Sequence, residues 1–458
     1  MGGSLELQDQ CFAVVGLGRS GLAACQALRA RGASVYAWDD QSNYYELVKN
    51  LGCIISPYEE WPWQNFQATI LSPGIPHHLP VPHPVARLAQ KNKVPIIVDV
   101  DLLFKWESHA KFIGITGTNG KSTTTALVGH ILDNGGLKVA VGGNIGVPAL
   151  SLPSMGERGV YVLELSSYQL ERLPSLSLDT AALINITPDH LERHGSIEQY
   201  AQAKELIFGA EGLKNAVVSI DDNYSSDIFK RLEKKSSIQL ISVGRDKSSL
   251  LRITDDGLTD NAWGAGKIVF NFRDLSWALG HHNWQNAAIS YAIARCQGLS
   301  FDETLKGLQN FQGLAHRIEK VCEKRAITFV NDSKATNVEA VGKALACFSN
   351  IYWIAGGKPK NEPLTPLEKF YPNIKKAYLI GEAQESFARQ LNGKLDYECN
   401  GTLEEAVNAA HNDALRAHKN AVILLSPACA SFDQFRDFEE RGTIFKNLVQ
   451  QLCVEKAS

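Results

Sequence analysis

The sequence contains no apolar run near the roughly 18 residues that a membrane-spanning helix needs, so a helical membrane anchor is not expected. It also lacks a charge excess: 46 Lys and Arg stand against 49 Asp and Glu, a formal net charge of −3. Without a basic stripe, nucleic acid is not expected as the main partner. Cysteine is sparse and scattered, with nine residues at positions 11, 25, 53, 296, 322, 347, 399, 429 and 453. The total is odd and no C-x-x-C pair occurs, which predicts neither a disulfide framework nor a zinc site and makes the reducing cytoplasm the natural compartment. The start of the chain has neither the basic stretch nor the apolar run of a secretion signal, and Glu6 stands where a myristoylation signal wants Ser or Thr.

What is present is the composition of an ordinary globular protein, 44% hydrophobic and 21% charged. At 458 residues the chain is too long for one compact core, so two to four domains are expected. The most informative run is Gly114-Ile115-Thr116-Gly117-Thr118-Asn119-Gly120-Lys121-Ser122-Thr123. Phe112 to Ile115 reads as a buried strand and Thr124 to Asp133 as the helix after the turn. At such a helix N-terminus, free N–H groups and the helix dipole favour a phosphate, and glycines let the backbone approach it. Lys121 can then reach the terminal phosphates, while Ser122 or Thr123 can hold Mg²⁺. The run departs from the usual P-loop in carrying Ile115 where the first glycine belongs. Further on, Val160-Tyr-Val-Leu-Glu164 reads as a buried parallel strand ending in a carboxylate, the group a P-loop sheet uses for its Mg²⁺. Thr180 to Thr187 reads as the next strand, leading to Pro188-Asp189-His190.

Ahead of this region, Phe12-Ala-Val-Val-Gly16-Leu-Gly18-Arg-Ser-Gly21 is a strand entering G-x-G-x-x-G. A second strand, Ala33 to Asp40, ends in carboxylates where a dinucleotide fold binds a ribose hydroxyl. Alone, the motif would serve NAD or any other diphosphate-ribose ligand, and Asp39 could equally be a solvated strand end. Ala68 to Ile75 reads as a further strand and turn, and Val94 to Asp99 as another. Short β-like runs fill 215 to 279, and an alanine-rich helix follows His282-Asn283-Trp-Gln-Asn286. Strands at Ala326 to Asn331, Ile351 to Ala355, Lys376 to Ile380 and Ala421 to Ser426 predict another doubly wound sheet. The expectation is an α/β protein of three domains: a Rossmann-like domain over 1–108, a central P-loop-type ATP-binding domain over 109–313, and a C-terminal Rossmann-like domain over 314–458.

Taken together, Thr116 to Ser122, Glu164-Leu-Ser-Ser, Asp189-His190, Lys204, His282-Asn283-x-x-Asn286, His316-Arg317 and Asn331-Asp332-Ser-Lys334 resemble the Mur ligases, the ATP-dependent amino-acid-adding enzymes of peptidoglycan synthesis. The likeness covers nearly the whole chain. Ser426-Pro-Ala-Cys-Ala-Ser431-Phe-Asp-Gln-Phe435-Arg-Asp-Phe438 and Asn331 to Asn337 resemble the branch that adds D-glutamate to UDP-N-acetylmuramoyl-L-alanine.

The resemblance implies a monomeric cytoplasmic enzyme that takes ATP, D-glutamate and that UDP-sugar. The substrate carboxylate would receive the γ-phosphoryl group, and the D-glutamate amine would attack the resulting acyl phosphate. The implied catalytic residues are Lys121, Glu164, His190 and Lys204. Two Mg²⁺ ions are implied, one at Ser122 or Thr123 with Glu164, the other at His190 and a carbamate on Lys204. For ATP the resemblance names Gly117, Thr118, Asn119 and Gly120 at the phosphates, Asn283 and Asn286 at the adenine, Arg317 at phosphate and Asp332 at the ribose. For the uridine diphosphate it names Gly18, Arg19, Ser20, Asp39, Asp40, Ser72 and Gly74, with Asn144, Ser166 and Gln169 toward the muramoyl part. For D-glutamate it names Lys334, Thr336, Lys360, Ser431 and Phe438, with Lys358 as the alternative to Lys360. Read without the resemblance, Lys204 would be a solvated surface charge and His190 a hydrogen-bonded turn residue.

Overall fold

Short aliphatic runs ending in glycine or polar residues build three sheets in the computed structural model, which describes residues 7–144, 146–234, 237–263, 266–359, 362–417 and 420–454. In the first sheet Cys11–Val15 is central, between Ser34–Trp38 and Phe66–Leu71, with Ile96–Ile97 beyond, and all four strands are parallel. Successive side chains take opposite faces. Phe12 and Val14 pack with Ala24, Cys25 and Leu28 of the helix Arg19–Ala30, whereas Ala13 and Val15 pack with Trp61, Trp63 and Phe66. The strand expected over Val94 to Asp99 shrinks to Ile96–Ile97, because Asp99 already opens the helix Asp99–Trp106.

The second sheet has nine strands. Seven run parallel in the spatial order Leu251–Thr254, Gln239–Gly244, Asn215–Ser219, Thr180–Leu183, Lys111–Thr116, Gly159–Glu164 and Lys138–Gly143. Gly257–Asp260 and Lys267–Phe270 extend it as an antiparallel meander. Lys111–Thr116 is where the connections turn from one side of the sheet to the other, and a crevice opens at the carboxyl ends of strands beside such a point. The 215 to 279 stretch is less purely β than its sequence suggests, since Asp222 accepts a hydrogen bond from the Ser225 N–H and caps the helix Asn223–Leu232. The helix expected after Asn286 starts earlier, so that His281–Cys296 includes Asn283 and Asn286.

The third sheet runs Glu319–Lys324, Ile327–Asn331, Ala421–Leu425, Ile351–Gly356, Ile374–Ile380 and Tyr397–Gly401, parallel except for the first strand. The four expected strands are its middle. The two edges were not foreseen, because Glu-Lys-Val-Cys-Glu-Lys and Tyr-Glu-Cys-Asn-Gly are half-exposed and carry no apolar run. One disulfide departs from the cysteine reading: Cys322 of the edge strand is bonded to Cys453 of the helix Phe438–Val454. Their separation of 131 positions leaves no local spacing from which to read the pair.

The chain divides into two compact units. Met1–Leu275 with His282–Phe311 holds the first two sheets, and Ser276–His281 with Gln312–Ser458 holds the third. Among the described residues no helix is long and apolar enough to cross a membrane.

Candidate active site

The loop after Lys111–Thr116 turns on Gly120, whose φ of 85° is left-handed and whose missing Cβ leaves room for the Asn286 side-chain oxygen. The helix Lys121–Asn134 starts there without a side-chain cap, so its first N–H groups face the loop. Asn286 accepts from Thr124 Oγ1 at 3.2 Å and donates to Asn283 Oδ1 at 3.1 Å, so both asparagines brace the loop from the neighbouring helix. A further brace, Asn185, was not singled out from sequence. Its Oδ1 accepts from the Asn119 N–H and its Nδ2 donates back to the Asn119 carbonyl. Thr118 Oγ1 is tied to both the N–H and the carbonyl of Thr187.

Lys121 folds back on the loop, its Nζ donating to the carbonyls of Gly117 (2.9 Å) and Thr118 (2.8 Å). Lys204 reaches the same Gly117 oxygen at 2.8 Å from the helix Ile197–Glu205, with its amine 4.4 Å from the Tyr200 ring centre. It is only 1% exposed. Burial, and then the Lys121 charge, hold its amine well below the ordinary lysine value, so Lys204 is a buried group whose ammonium form is disfavoured rather than a solvated cation. Glu164, 2% exposed, accepts from Asn144 Nδ2 through Oε1 at 2.8 Å, while its Oε2 is buried without a hydrogen-bond partner. A buried carboxylate oxygen left open in this way suits a cation. Ser122 is buried and Thr123 half-buried at the helix start.

A cavity of about 310 Å³ gathers Gly74, Lys121, Asn144, Ser166, His190 and Lys204, with Tyr168 and Tyr200 among its walls. His190 sits at a left-handed position, half-exposed, its Nε2 3.5 Å from Asp189 Oδ2 and its ring 5.1 Å from that of Tyr168. Ser166 and Gln169 satisfy each other in a capping box at the start of Ser167–Leu170, which occupies the Gln169 side chain.

A second cavity, about 260 Å³, lies at the end of Cys11–Val15 and includes Gly16, Asp39, Asp40, Ile75 and His83. Asp39 accepts from the Leu17 N–H at 2.6 Å and the Gln41 N–H at 2.9 Å, which makes it a brace for the turn as well as a wall. Asp40 accepts from Trp38 Nε1. Ser72 donates to the Gly16 carbonyl, and a Cβ on Gly16 would strike Ser72 and Ile75. A Cβ on Gly18 would meet nothing, so the open side of the turn is at Gly18, followed by Arg19 and Ser20.

In the other unit Asp332 is buried, accepting from Ser426 Oγ (2.7 Å) and the Ile318 N–H (3.2 Å). Lys334 lies with its Nζ 4.0 Å from the Phe438 ring centre, and Thr336 follows on the same turn, its N–H donating to the Lys334 carbonyl. Ser431 is buried. Sequence reasoning missed Arg441, which is fully buried and donates to Ser333 Oγ, to the Ser333 carbonyl and to the Cys429 carbonyl. It thereby ties together the loops that carry Lys334 and Ser431. Lys360 lies outside the described residues.

A sequence model described as the Mur ligase middle domain matches residues 115–294, and one described as the Mur ligase, glutamate ligase domain matches residues 316–429. The chain belongs to the Mur ligase family. This Mur ligase is 46% identical over 454 residues to the UDP-N-acetylmuramoylalanine–D-glutamate ligase of Nitrobacter winogradskyi, across 98% of this chain and 97% of the relative. It is 44% identical over 464 residues to the ligase of the same name from Rhodospirillum rubrum, across 99% and 97%. Its fold is similar to that of the UDP-N-acetylmuramate-alanine ligase of Thermotoga maritima, with a TM-score of 0.59 at 20% identity over 97% of this chain and 99% of that one.

One titration should be visible in the stability of this Mur ligase. Burial pushes the Asp332 carboxyl up from 3.8 to about 7. The folded chain then holds that proton more tightly than the unfolded chain. The associated stability is complete below about pH 4 and is lost as the pH rises through 7, at up to about 1.4 kcal/mol per pH unit. Asp332→Asn should flatten this part of the curve, measured by urea unfolding at several pH values in that window. An unchanged slope would mean that Asp332 ionises at its ordinary value.

Proposed function

We propose that this Mur ligase joins D-glutamate to UDP-N-acetylmuramoyl-L-alanine in peptidoglycan precursor synthesis, forming an acyl phosphate from ATP and releasing ADP and phosphate. The observation that carries the reading is the meeting of Lys121 of the phosphate-binding loop and the buried Lys204 amine at one cavity, with the buried Glu164 carboxylate, one oxygen open, bonded to Asn144 of the cavity wall. The near-full-length identity to D-glutamate ligases selects the amino acid.

Lys121 exchanges the Gly117 and Thr118 carbonyls for phosphate oxygens when ATP enters, while the N–H groups at the helix start hold the same phosphates. Ser122 or Thr123, with Glu164, would hold a Mg²⁺ ion, which supplies charge neutralisation to the phosphoryl group in transfer. One carboxylate and a hydroxyl make the sparse oxygen set that suits an ion keeping waters and substrate phosphates as its other ligands. His190 and Lys204 would hold a second ion, with Lys204 as its carbamate; the unprotonated amine is the form that adds CO₂, and burial shifts Lys204 toward it. The turn at Gly18, with Arg19, Ser20, Asp39, Asp40, Ser72 and Gly74, takes the uridine diphosphate, and Asn144, Ser166 and Gln169 border the muramoyl part. Arg317 and Asp332 serve ATP, whose ribose would add a bond to a carboxylate already accepting two. Lys334, Thr336, Ser431 and Phe438 receive D-glutamate, the lysine pairing with a carboxylate.

Phosphate release with UDP-N-acetylmuramoyl-L-alanine tests the reading. D-glutamate should support it at least about 100-fold better than L-glutamate, L-alanine or diaminopimelate, because two fixed carboxylate contacts and a fixed amine direction cannot all be met by the mirror image. Equal release with L-glutamate would overturn the assignment.

A further inference from the structure

Two arginines beyond the proposed ligand set close on a single loop. Arg172, 2% exposed, donates from Nη1 to the Leu71 carbonyl (3.1 Å), from Nη2 to the Pro73 carbonyl (2.9 Å) and from Nε to the Tyr168 carbonyl (3.0 Å). Arg193, 8% exposed, donates from Nη1 to the Leu79 carbonyl (2.8 Å) and from Nη2 to the Ile75 carbonyl (3.2 Å). Its guanidinium lies 5.2 Å from the centre of the Tyr168 ring. Both arginines come from the segment that follows Gly159–Glu164, while all four loop carbonyls belong to residues 71–79, which leave the first sheet.

That loop forms part of both cavities. Ile75 lines the one at Gly16 and Asp39, whereas Pro73 and Gly74 line the one at Lys121 and Lys204. Tyr168, whose carbonyl Arg172 holds and whose ring Arg193 faces, is a wall of the latter cavity. The two guanidinium forks therefore lock the distance between the cavities at four backbone points. A rigid planar guanidinium holds the two carbonyls it bonds at a fixed spacing and direction, which a swivelling lysine ammonium does not.

We propose that Arg172 and Arg193 are positioning residues for the donor. They hold the loop so that a donor bound by its nucleotide end presents its carboxylate in register with the phosphate-binding loop. The proposal rests on the donor being a UDP-sugar that carries the reacting carboxylate. Neither arginine touches the reacting atoms. What they govern is the match between the two ends, to which a misplacement of about 1 Å matters by around a hundredfold in rate.

The test uses Arg172→Lys and Arg193→Lys in the full chain, with thermal unfolding to confirm folding; Arg193→Lys carries the test if Arg172→Lys does not fold. Three quantities are compared with the parent protein: UDP affinity by calorimetry, the KM for ATP, and kcat for D-glutamate-dependent phosphate release with UDP-N-acetylmuramoyl-L-alanine. Positioning predicts that kcat falls about tenfold or more while UDP affinity and the ATP KM stay within about twofold, since each end still binds and only their register is lost. A kcat within about threefold of the parent, or UDP affinity falling by the same factor as kcat, would overturn the proposal. A parent protein with no D-glutamate-dependent release would instead overturn the functional reading beneath it.

Discussion

Lys204→Ala is expected to lose ligase activity by at least about 100-fold, and added formate or acetate to restore part of it. The residue stands out physically because the cavity holds a buried amine whose charged form is disfavoured. Burial and the neighbouring Lys121 disfavour the ammonium, and the unprotonated amine is the form that adds CO₂. The resulting carbamate would be an anionic oxygen ligand close to the phosphate-binding loop. Removing the side chain opens space into which a small carboxylate can bring the same two oxygens. The fold should survive, since the Gly117 carbonyl keeps its bond from Lys121. Activity measured with and without formate, beside thermal unfolding, separates the outcomes. A folded Lys204→Ala protein as active as its parent would refute the modified-lysine role, and a dead protein that formate does not revive would leave the amine itself as the active group.

Glu164→Gln should separate stability from activity. The parent buries a carboxylate with one oxygen accepting from Asn144 and the other open, an arrangement costly in the absence of a cation. The amide keeps the shape and the acceptor for Asn144 while removing the buried charge. Unfolding in the absence of Mg²⁺ should therefore be no easier than in the parent, whereas kcat should fall about 100-fold and half-maximal activity should need more Mg²⁺. A variant that is active at the parent's Mg²⁺ requirement would remove Glu164 from the metal-binding set.

The parts legible in the sequence are those whose chemistry is local. The phosphate-binding loop needs its glycines, lysine and hydroxyl within a few residues, and central strands of parallel sheets need unbroken apolar runs, so Lys121, Glu164 and the middle strands of each sheet could be placed from composition and spacing. Lys204 could not be. On a helix of alternating small and polar residues it reads as a surface cation, and only the family resemblance drew attention to it. The buried arginines were invisible for a related reason. Arg172 is satisfied by carbonyls about a hundred residues away, and Arg441 sits in the charged stretch Glu439-Glu440-Arg441, which resembles solvent-facing helix. Backbone acceptors carry no residue signature, so an arginine that serves them leaves no pattern. The edge strands of the third sheet escaped notice because half-exposed strands can be built from charged residues.

The order of strands in that third sheet also bears on how the protein is made. Ala421–Leu425 is inserted between Ile327–Asn331 and Ile351–Gly356, although it is the last strand of the chain to leave the ribosome. Until it emerges, two apolar strands made some seventy to a hundred residues earlier lack the neighbour that separates them, and any pairing between them would be non-native. Closure of this sheet therefore waits for Ala421–Leu425, and until then the unpaired edges of its neighbours are open to wrong pairing during synthesis.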